Sequence, residues 1–103
     1  MSMDGINVLL HPDAMEEYIA SYAWYHERGP HLAEAFEHEI ERAIRLIVEA
    51  PERWPLYLGK HRRVLVRRFP YSLVYTIIKG DIFILAVAHG HRRPGYWRKR
   101  GKG

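Results

Sequence analysis

The run RRVLVRRFPYSLVYTIIKGDIFILAVAH, residues 62–89, carries the strongest structural signal in this sequence. Its first seven residues alternate with the two-residue period of a β-strand, and residues 71–78 are rich in aromatic and β-branched side chains. The last eight residues form an apolar run that is typical of a buried strand. Phe69-Pro70 and Lys79-Gly80-Asp81 separate the three segments with turn-forming residues. The run therefore predicts a three-stranded antiparallel meander.

Upstream of the meander, the sequence predicts a short strand at Ile6 to Leu10 and then two helices. Pro12 suits the first position of a helix, Gly29-Pro30 interrupts the helical pattern, and Pro51 ends it. The second helix has an apolar face whose members recur at three- and four-residue steps: Leu32, Phe36, Ile40, Ala43, Ile44, Ile47 and Val48. Two helices joined by so short a break form an antiparallel hairpin.

These elements predict an α+β fold, in which an N-terminal strand and a helical hairpin pack on a three- to four-stranded antiparallel sheet. The length of 103 residues is that of one domain. We expect residues 1–103 to form that domain, with a core over residues 5–100 and a frayed tail at residues 101–103. The sheet face opposite the helices is then free to carry arginines.

Charge is distributed unevenly along the chain, although the formal net charge is only +4. Eleven of the 12 acidic residues precede Gly59, whereas 12 of the 16 lysines and arginines follow Leu58, with Asp81 as the one acidic residue among them. Such a concentration of cations produces a positive field that attracts nucleic acid or an acidic protein segment. The C-terminal half is therefore the expected working surface, although a solvated charge run needs no partner.

Several function classes are excluded by what the sequence lacks. The chain has no cysteine, so disulfides, thiolate metal sites and cysteine nucleophiles are ruled out. His89-Gly90-His91 is a poor metal site without further ligands, and we expect neither a metal nor a cofactor. No apolar run approaches the roughly 20 residues needed to span a bilayer, and Met1 to Gly5 does not resemble a secretory signal. We expect a cytoplasmic protein without membrane contact.

The segment from His89 to Trp97 combines cations, a histidine and aromatic rings, which suits binding to phosphates and unpaired bases. RNA cleavage needs a base, an acid and a cation, and His89, Tyr96 and Arg92 are candidates for these roles. Another possibility is a module that binds nucleic acid without cleaving it and without toxicity. The structural alternative is that Tyr96 and Trp97 hold the tail on the sheet, while the arginines form local hydrogen bonds.

Three stretches of this sequence, RRFPYSLVY (67–75), IFILAV (82–87) and AHGHRRPGYW (88–97), resemble the RelE/ParE superfamily of bacterial type II toxins. The order of the predicted elements agrees with that family. The resemblance implies a small basic toxin that is encoded beside an acidic antitoxin, whose flexible segment wraps the toxin and blocks it. The charge asymmetry suits such a partner, because an acidic segment is drawn to a basic face and orders on binding.

The resemblance also implies one of two targets. RelE-like members cleave messenger RNA on the ribosome, whereas ParE-like members poison DNA gyrase. In the ribonucleases a strand arginine supports the scissile phosphate, but Ser72 stands at that position here. The ending His-Gly-x-Arg-Arg, residues 89–93, is closer to the ParE side. We therefore expect the ParE-like toxin of a plasmid-stabilisation module, with gyrase as its target and a ribosome-dependent endoribonuclease as the alternative.

On either interpretation, the basic half supplies the contacts with the target or the antitoxin. The residues expected to make them are Arg62, Arg63, Arg67, Arg68, Arg92, Arg93 and Trp97. His89, Arg92 and Tyr96 would be catalytic only in a ribonuclease.

Overall fold

The structure is a computed structural model that describes residues 2–3 and 5–102. Both predicted helices are present, α1 at Pro12–Arg28 and α2 at Pro30–Glu49. The His11 side chain caps α1, because its Nδ1 accepts a hydrogen bond of 3.0 Å from the Asp13 backbone N–H. Gly29 alone separates the two helices, so they form the expected hairpin.

The strands are β1 at Ser2–Met3, β2 at Ile6–Leu10, β3 at Leu56–Tyr57, β4 at His61–Val66, β5 at Tyr71–Ile78 and β6 at Asp81–His89. They form one six-stranded sheet in the order β1-β2-β6-β5-β4-β3. The meander β4-β5-β6 is confirmed. The sheet is larger than the predicted three to four strands, since two-residue strands extend both edges, and β2 runs parallel to β6 rather than antiparallel.

The turn between β5 and β6 shows how local sequence sets the register of the meander. Lys79 and Gly80 both have positive φ, 50° and 84°, and Ile78 pairs directly with Asp81. A two-residue hairpin turn with positive φ at both positions matches the twist of the strands, and glycine adopts this conformation without strain. The pairing that follows is interrupted by one bulge, where Leu85 lies between the partners of Val74 and Tyr75.

The helical hairpin covers one face of the sheet, where the main core lies. Phe36, Ile40 and Ile47 of α2 pack in one buried cluster with inward-facing strand residues such as Leu73 and Ile84. This arrangement confirms the α+β class with the hairpin on one side. Burial of these side chains is the main force that holds the helices on the sheet.

The opposite face of the sheet is covered in part by the chain that follows β6. Trp97 is 1% exposed and packs there with Val74, Leu85 and Ala86. A 3-10 helix at Arg98–Lys102 follows it, so residues 101 and 102, which were expected to fray, belong to this turn, and residue 103 lies outside the described residues. The sheet therefore has a second, smaller core on the face that the sequence left open for arginines.

Candidate functional site

A small pocket of about 80 Å³ opens on the second face of the sheet, where β5 begins and β6 ends. Strand β4 contributes Arg63, β5 contributes Ser72, and β6 contributes His89. The segment after β6 closes the other side, and its contributions include Arg92, Arg93, Pro94, Tyr96 and Trp97. Residues that are far apart in the sequence thus meet because the chain folds back over the sheet.

Three of the predicted binding arginines line this pocket. The guanidinium carbon of Arg63 lies 4.0 Å from the centre of the Tyr57 ring, and that of Arg92 lies 3.8 Å from the centre of the Tyr96 ring. Stacking on an aromatic ring holds a guanidinium in place and leaves its N–H groups free to donate. Within the described part of the chain, neither Arg63 nor Arg93 forms an ion pair. The pocket is therefore strongly cationic.

Arg67 and Arg68 lie outside the pocket, at the turn between β4 and β5. Arg67 Nη2 is 3.5 Å from Glu39 Oε2 of α2, although the arginine side chain remains 62% exposed. Arg68 has a positive φ of 72° and lies near the Phe69 ring. Both side chains are exposed, so their predicted contact with a partner stays a prediction.

Arg62 is placed differently from its neighbours, and its predicted contact with a partner stays a prediction. Its guanidinium donates to the backbone carbonyl of Trp54 and, at 3.2 Å, to that of Glu52. Arg62 therefore fixes the loop between α2 and β3 and is already occupied within the fold. Alternation along β4 explains the difference, since Arg62 and Val64 point to the helical side, whereas Arg63 points to the pocket.

Trp97 lines the pocket from below, with its ring almost fully covered. The His61 ring lies 4.6 Å and the Tyr57 ring 6.0 Å from it, centre to centre. Its predicted contact with a partner stays a prediction. Trp97 anchors the C-terminal segment to the sheet, which is the structural alternative that the sequence left open.

The three candidate catalytic residues, His89, Arg92 and Tyr96, do line one pocket together. The Tyr96 hydroxyl, however, donates a hydrogen bond of 2.7 Å to Glu17 Oε2. Burial, together with this hydrogen bond, raises the pKa of the Tyr96 hydroxyl above its usual range. His89 Nδ1 accepts a hydrogen bond of 3.0 Å from the His91 backbone N–H, so the neutral ring carries its proton on Nε2.

Glu17 is the residue that sequence reasoning missed. It lies in α1, where its charge is explained by the favourable effect of acidic residues near a helix N-terminus. In the structure the Glu17 side chain is only 16% exposed, and it binds both Tyr96 and Arg100. The reason for its position lies in the structure, where β2 has five residues and β6 has nine, so part of the β6 edge needs another partner.

Among residues 2–3 and 5–102, no group of three or more histidine, aspartate or glutamate side chains is placed to hold a metal ion. No helix in the same ranges is long and apolar enough to cross a membrane. The pocket itself offers hydrogen bonding and charge neutralisation by arginines around the Ser72 hydroxyl and the His89 ring.

The fold is similar to those of solved structures from toxin–antitoxin systems. A chromosomal ParDE system from P. aeruginosa superposes with a TM-score of 0.71 at 17% identity, over 82% of this chain and 95% of that chain. A YoeB–YefM complex from Staphylococcus aureus gives a TM-score of 0.55 at 17% identity, over 84% of this chain and 98% of the other. At such identities the likeness establishes the fold.

The sequence itself matches the model of a family described as the ParE toxin of the type II toxin–antitoxin system parDE, over residues 8–94. No curated protein sequence matches the chain significantly. The chain belongs to the ParE toxin family. The resemblance to the RelE/ParE superfamily, and the preference for its ParE side, are thereby confirmed.

Proposed function

We propose that this ParE-like toxin acts by binding DNA gyrase without cutting nucleic acid, and that an acidic antitoxin neutralises it. The observation that carries this proposal is the pocket itself, where Arg63, Arg92 and Arg93 surround Ser72. These groups are suited to binding an anionic or polar surface. Of the groups that RNA cleavage would need, the Tyr96 hydroxyl is already engaged by Glu17.

The placement of Ser72 argues against RNA cleavage. This serine lies on β5 between Leu65 and Ala88, at the position where the ribonucleases of the superfamily use an arginine. Loss of one preorganised donor at a developing charge costs about 2.7–4 kcal/mol of transition-state stabilisation. Tyr96 adds a second obstacle, because a hydroxyl whose pKa is raised is a poor proton donor at pH 7.

An acidic antitoxin segment is the partner that the charge distribution favours. Arg63, Arg92 and Arg93 are exposed around one small pocket, so a few carboxylates of one extended segment can reach all three. Exposed charges on both partners steer association, and their contacts become stronger when the interface excludes water. The toxin–antitoxin complexes with this fold support such a partner.

Induced expression of the chain in a bacterium tests the proposed target. The proposal predicts growth arrest with DNA damage and filamentation, and rescue when the small acidic protein encoded beside the toxin gene is co-expressed. Primer extension on translated messages should show no new breaks at the onset of arrest. Cuts in ribosome-bound messages, with chromosomal DNA intact, would instead support the RelE-like endoribonuclease, for which the shared pocket of His89, Arg92 and Tyr96 is the favouring observation.

A further inference from the structure

One carboxylate joins α1, the β6 edge and the C-terminal segment. Glu17 Oε1 accepts hydrogen bonds from the Val87 backbone N–H at 3.0 Å and from Arg100 Nη1 at 2.9 Å. Glu17 Oε2 accepts from the Tyr96 hydroxyl at 2.7 Å and from Arg100 Nη2 at 3.0 Å. Four donors, one on β6 and three on the C-terminal segment, therefore converge on one side chain of α1.

The edge of β6 explains why a charged pair is placed here. Strand β2 pairs with β6 only from Ile82 to Ile84, so the following residues of β6 have no strand on that side. The Val87 N–H is taken by Glu17, and the Leu85 carbonyl accepts from Arg100 Nη1 at 3.1 Å. The Glu17–Arg100 ion pair thus makes the hydrogen bonds that a neighbouring strand would otherwise make. It satisfies the Val87 N–H and the Leu85 carbonyl, which would be costly to bury without partners.

The charges of this cluster leave one pocket arginine available. Arg100 neutralises Glu17 through two parallel hydrogen bonds, and both side chains are about 15% exposed. Arg92 Nη1 lies 3.9 Å from Glu17 Oε2, beyond hydrogen-bond distance, while its guanidinium stacks on the Tyr96 ring. Glu17 therefore holds the ring that supports Arg92, and its ion pair with Arg92 is longer than its two contacts with Arg100.

We propose that Glu17 is a positioning residue of the binding pocket, which locks the segment after β6 onto the sheet and so presents Arg92 to an anionic partner. The part of this inference that concerns the partner rests on the proposed function. The part that concerns the lock rests on the hydrogen bonds alone.

The test compares Glu17→Gln with Glu16→Gln, a matched control at an exposed neighbouring position that makes no hydrogen bond or ion pair within the described residues. Both substitutions remove one negative charge, which by itself strengthens binding of an anion. Affinity for a hexaglutamate peptide should rise slightly in Glu16→Gln, and it should fall by about tenfold in Glu17→Gln, because a misplaced Arg92 loses one charge-assisted hydrogen bond. Equal rises in the two variants would overturn the proposal.

A double-mutant cycle distinguishes positioning from a general loss of structure. If Glu17 acts through Arg92, Arg92→Gln and Glu17→Gln should each weaken peptide binding, and the double variant should be no weaker than Arg92→Gln alone. Additive losses would show that Glu17 acts elsewhere. Failure of the wild-type chain to bind the peptide would contradict the proposed anionic partner. Hydrogen exchange would then decide separately whether Glu17 holds the C-terminal segment on the sheet.

Native-state hydrogen exchange and limited trypsin digestion report on the lock itself. In Glu17→Gln, exchange of the Val87 amide and cleavage after Arg98 and Lys99 should both accelerate by at least tenfold, because Arg100 loses its two closest carboxylate contacts and keeps only the ion pair of 3.7 Å with Asp13. Exchange at Leu73, in the core of β5, should change much less. Where Glu17→Gln does not fold, Arg100→Lys keeps the charge and loses the two-pronged geometry, and the same selective acceleration is expected. Unchanged or uniformly faster exchange would refute the lock.

Discussion

Reversal of the charge of Arg93 should weaken binding of the acidic antitoxin far more than the same reversal elsewhere. Arg93 lines the pocket, is exposed and has no ion pair within the described residues. The substitution Arg93→Glu lowers the net charge from +4 to +2. Arg45→Glu lowers it equally, at an exposed position on α2 that is outside the pocket, and so serves as the control.

The expected size follows from the geometry of Arg93. A solvent-exposed ion pair contributes roughly 0.2–1 kcal/mol, and a charge-assisted hydrogen bond in a covered site contributes about 1.5–3 kcal/mol. The pocket is small and open, so we expect a loss near 1.5 kcal/mol, which is about tenfold in Kd. Added salt should reduce the difference, because mobile ions screen exposed charges within about 8 Å at physiological ionic strength.

Fluorescence anisotropy with the labelled antitoxin, at two salt concentrations, measures this effect. The purified variants should first show the same unfolding midpoint as the wild-type chain, since an exposed arginine contributes little to folding. Arg93→Glu should bind about tenfold more weakly than Arg45→Glu at low salt. Equal affinities for the two variants would refute the assignment of the pocket as the anionic contact, and would leave only a diffuse effect of net charge.

Three further predictions concern the fold that presents the pocket. In urea titrations, Trp97→Ala should lower the free energy of unfolding by about 3–5 kcal/mol, because the indole fills the second core. Trp97→Phe should lower it by less, and a loss below about 1 kcal/mol in Trp97→Ala would contradict this role. Arg62→Gln should selectively speed proteolysis of the loop at Glu52 to Trp54, which its guanidinium holds, and unchanged digestion would count against this contact. Burial raises the pKa of the Tyr75 hydroxyl to about 12. The neutral hydroxyl therefore contributes fully to the free energy of unfolding below about pH 10, and this contribution is lost as the pH rises from about 10 towards 12. The urea concentration at the unfolding midpoint should fall over that window, and it should fall less steeply in Tyr75→Phe.

Local sequence predicted the elements whose signals are local. Two-residue alternation at residues 62–68, the Lys79-Gly80 turn and the prolines at the helix boundaries correctly placed the meander and the helical hairpin. The pairing of β2 was not accessible in this way. Its partner β6 lies more than 70 residues away, and nothing within Ile6–Leu10 distinguishes a parallel from an antiparallel neighbour.

The pocket was predicted in its composition but not in its assembly. Arg63, Arg92 and Arg93 were identified from charge, and they do meet. The internal contacts of Arg62 and Trp97 were not predicted, because the sequence does not show that the Arg62 guanidinium donates to backbone carbonyls or that the Trp97 indole packs on the second face of the sheet. Such contacts depend on how segments that are distant in the sequence pack together. The charge and the hydrophobic periodicity of one segment do not show this packing.

Glu17 illustrates the same limit most clearly. An acidic residue in the first half of a helix needs no special explanation, so its sequence context gave no reason to single it out. Its role follows only from the mismatch between β2 and β6, which leaves the Val87 N–H without a strand partner. Interpretation of sheet edges therefore needs the lengths of paired strands as well as their periodicity.

A supercoiling assay with purified gyrase, relaxed plasmid and the purified toxin tests whether gyrase is the target. We expect the toxin to stop supercoiling at concentrations comparable to those of the enzyme, the acidic antitoxin to restore it, and Arg93→Glu to inhibit more weakly than Arg45→Glu. Undiminished supercoiling in the presence of excess toxin, with cleavage of messenger RNA on translating ribosomes by the same preparation, would contradict this target.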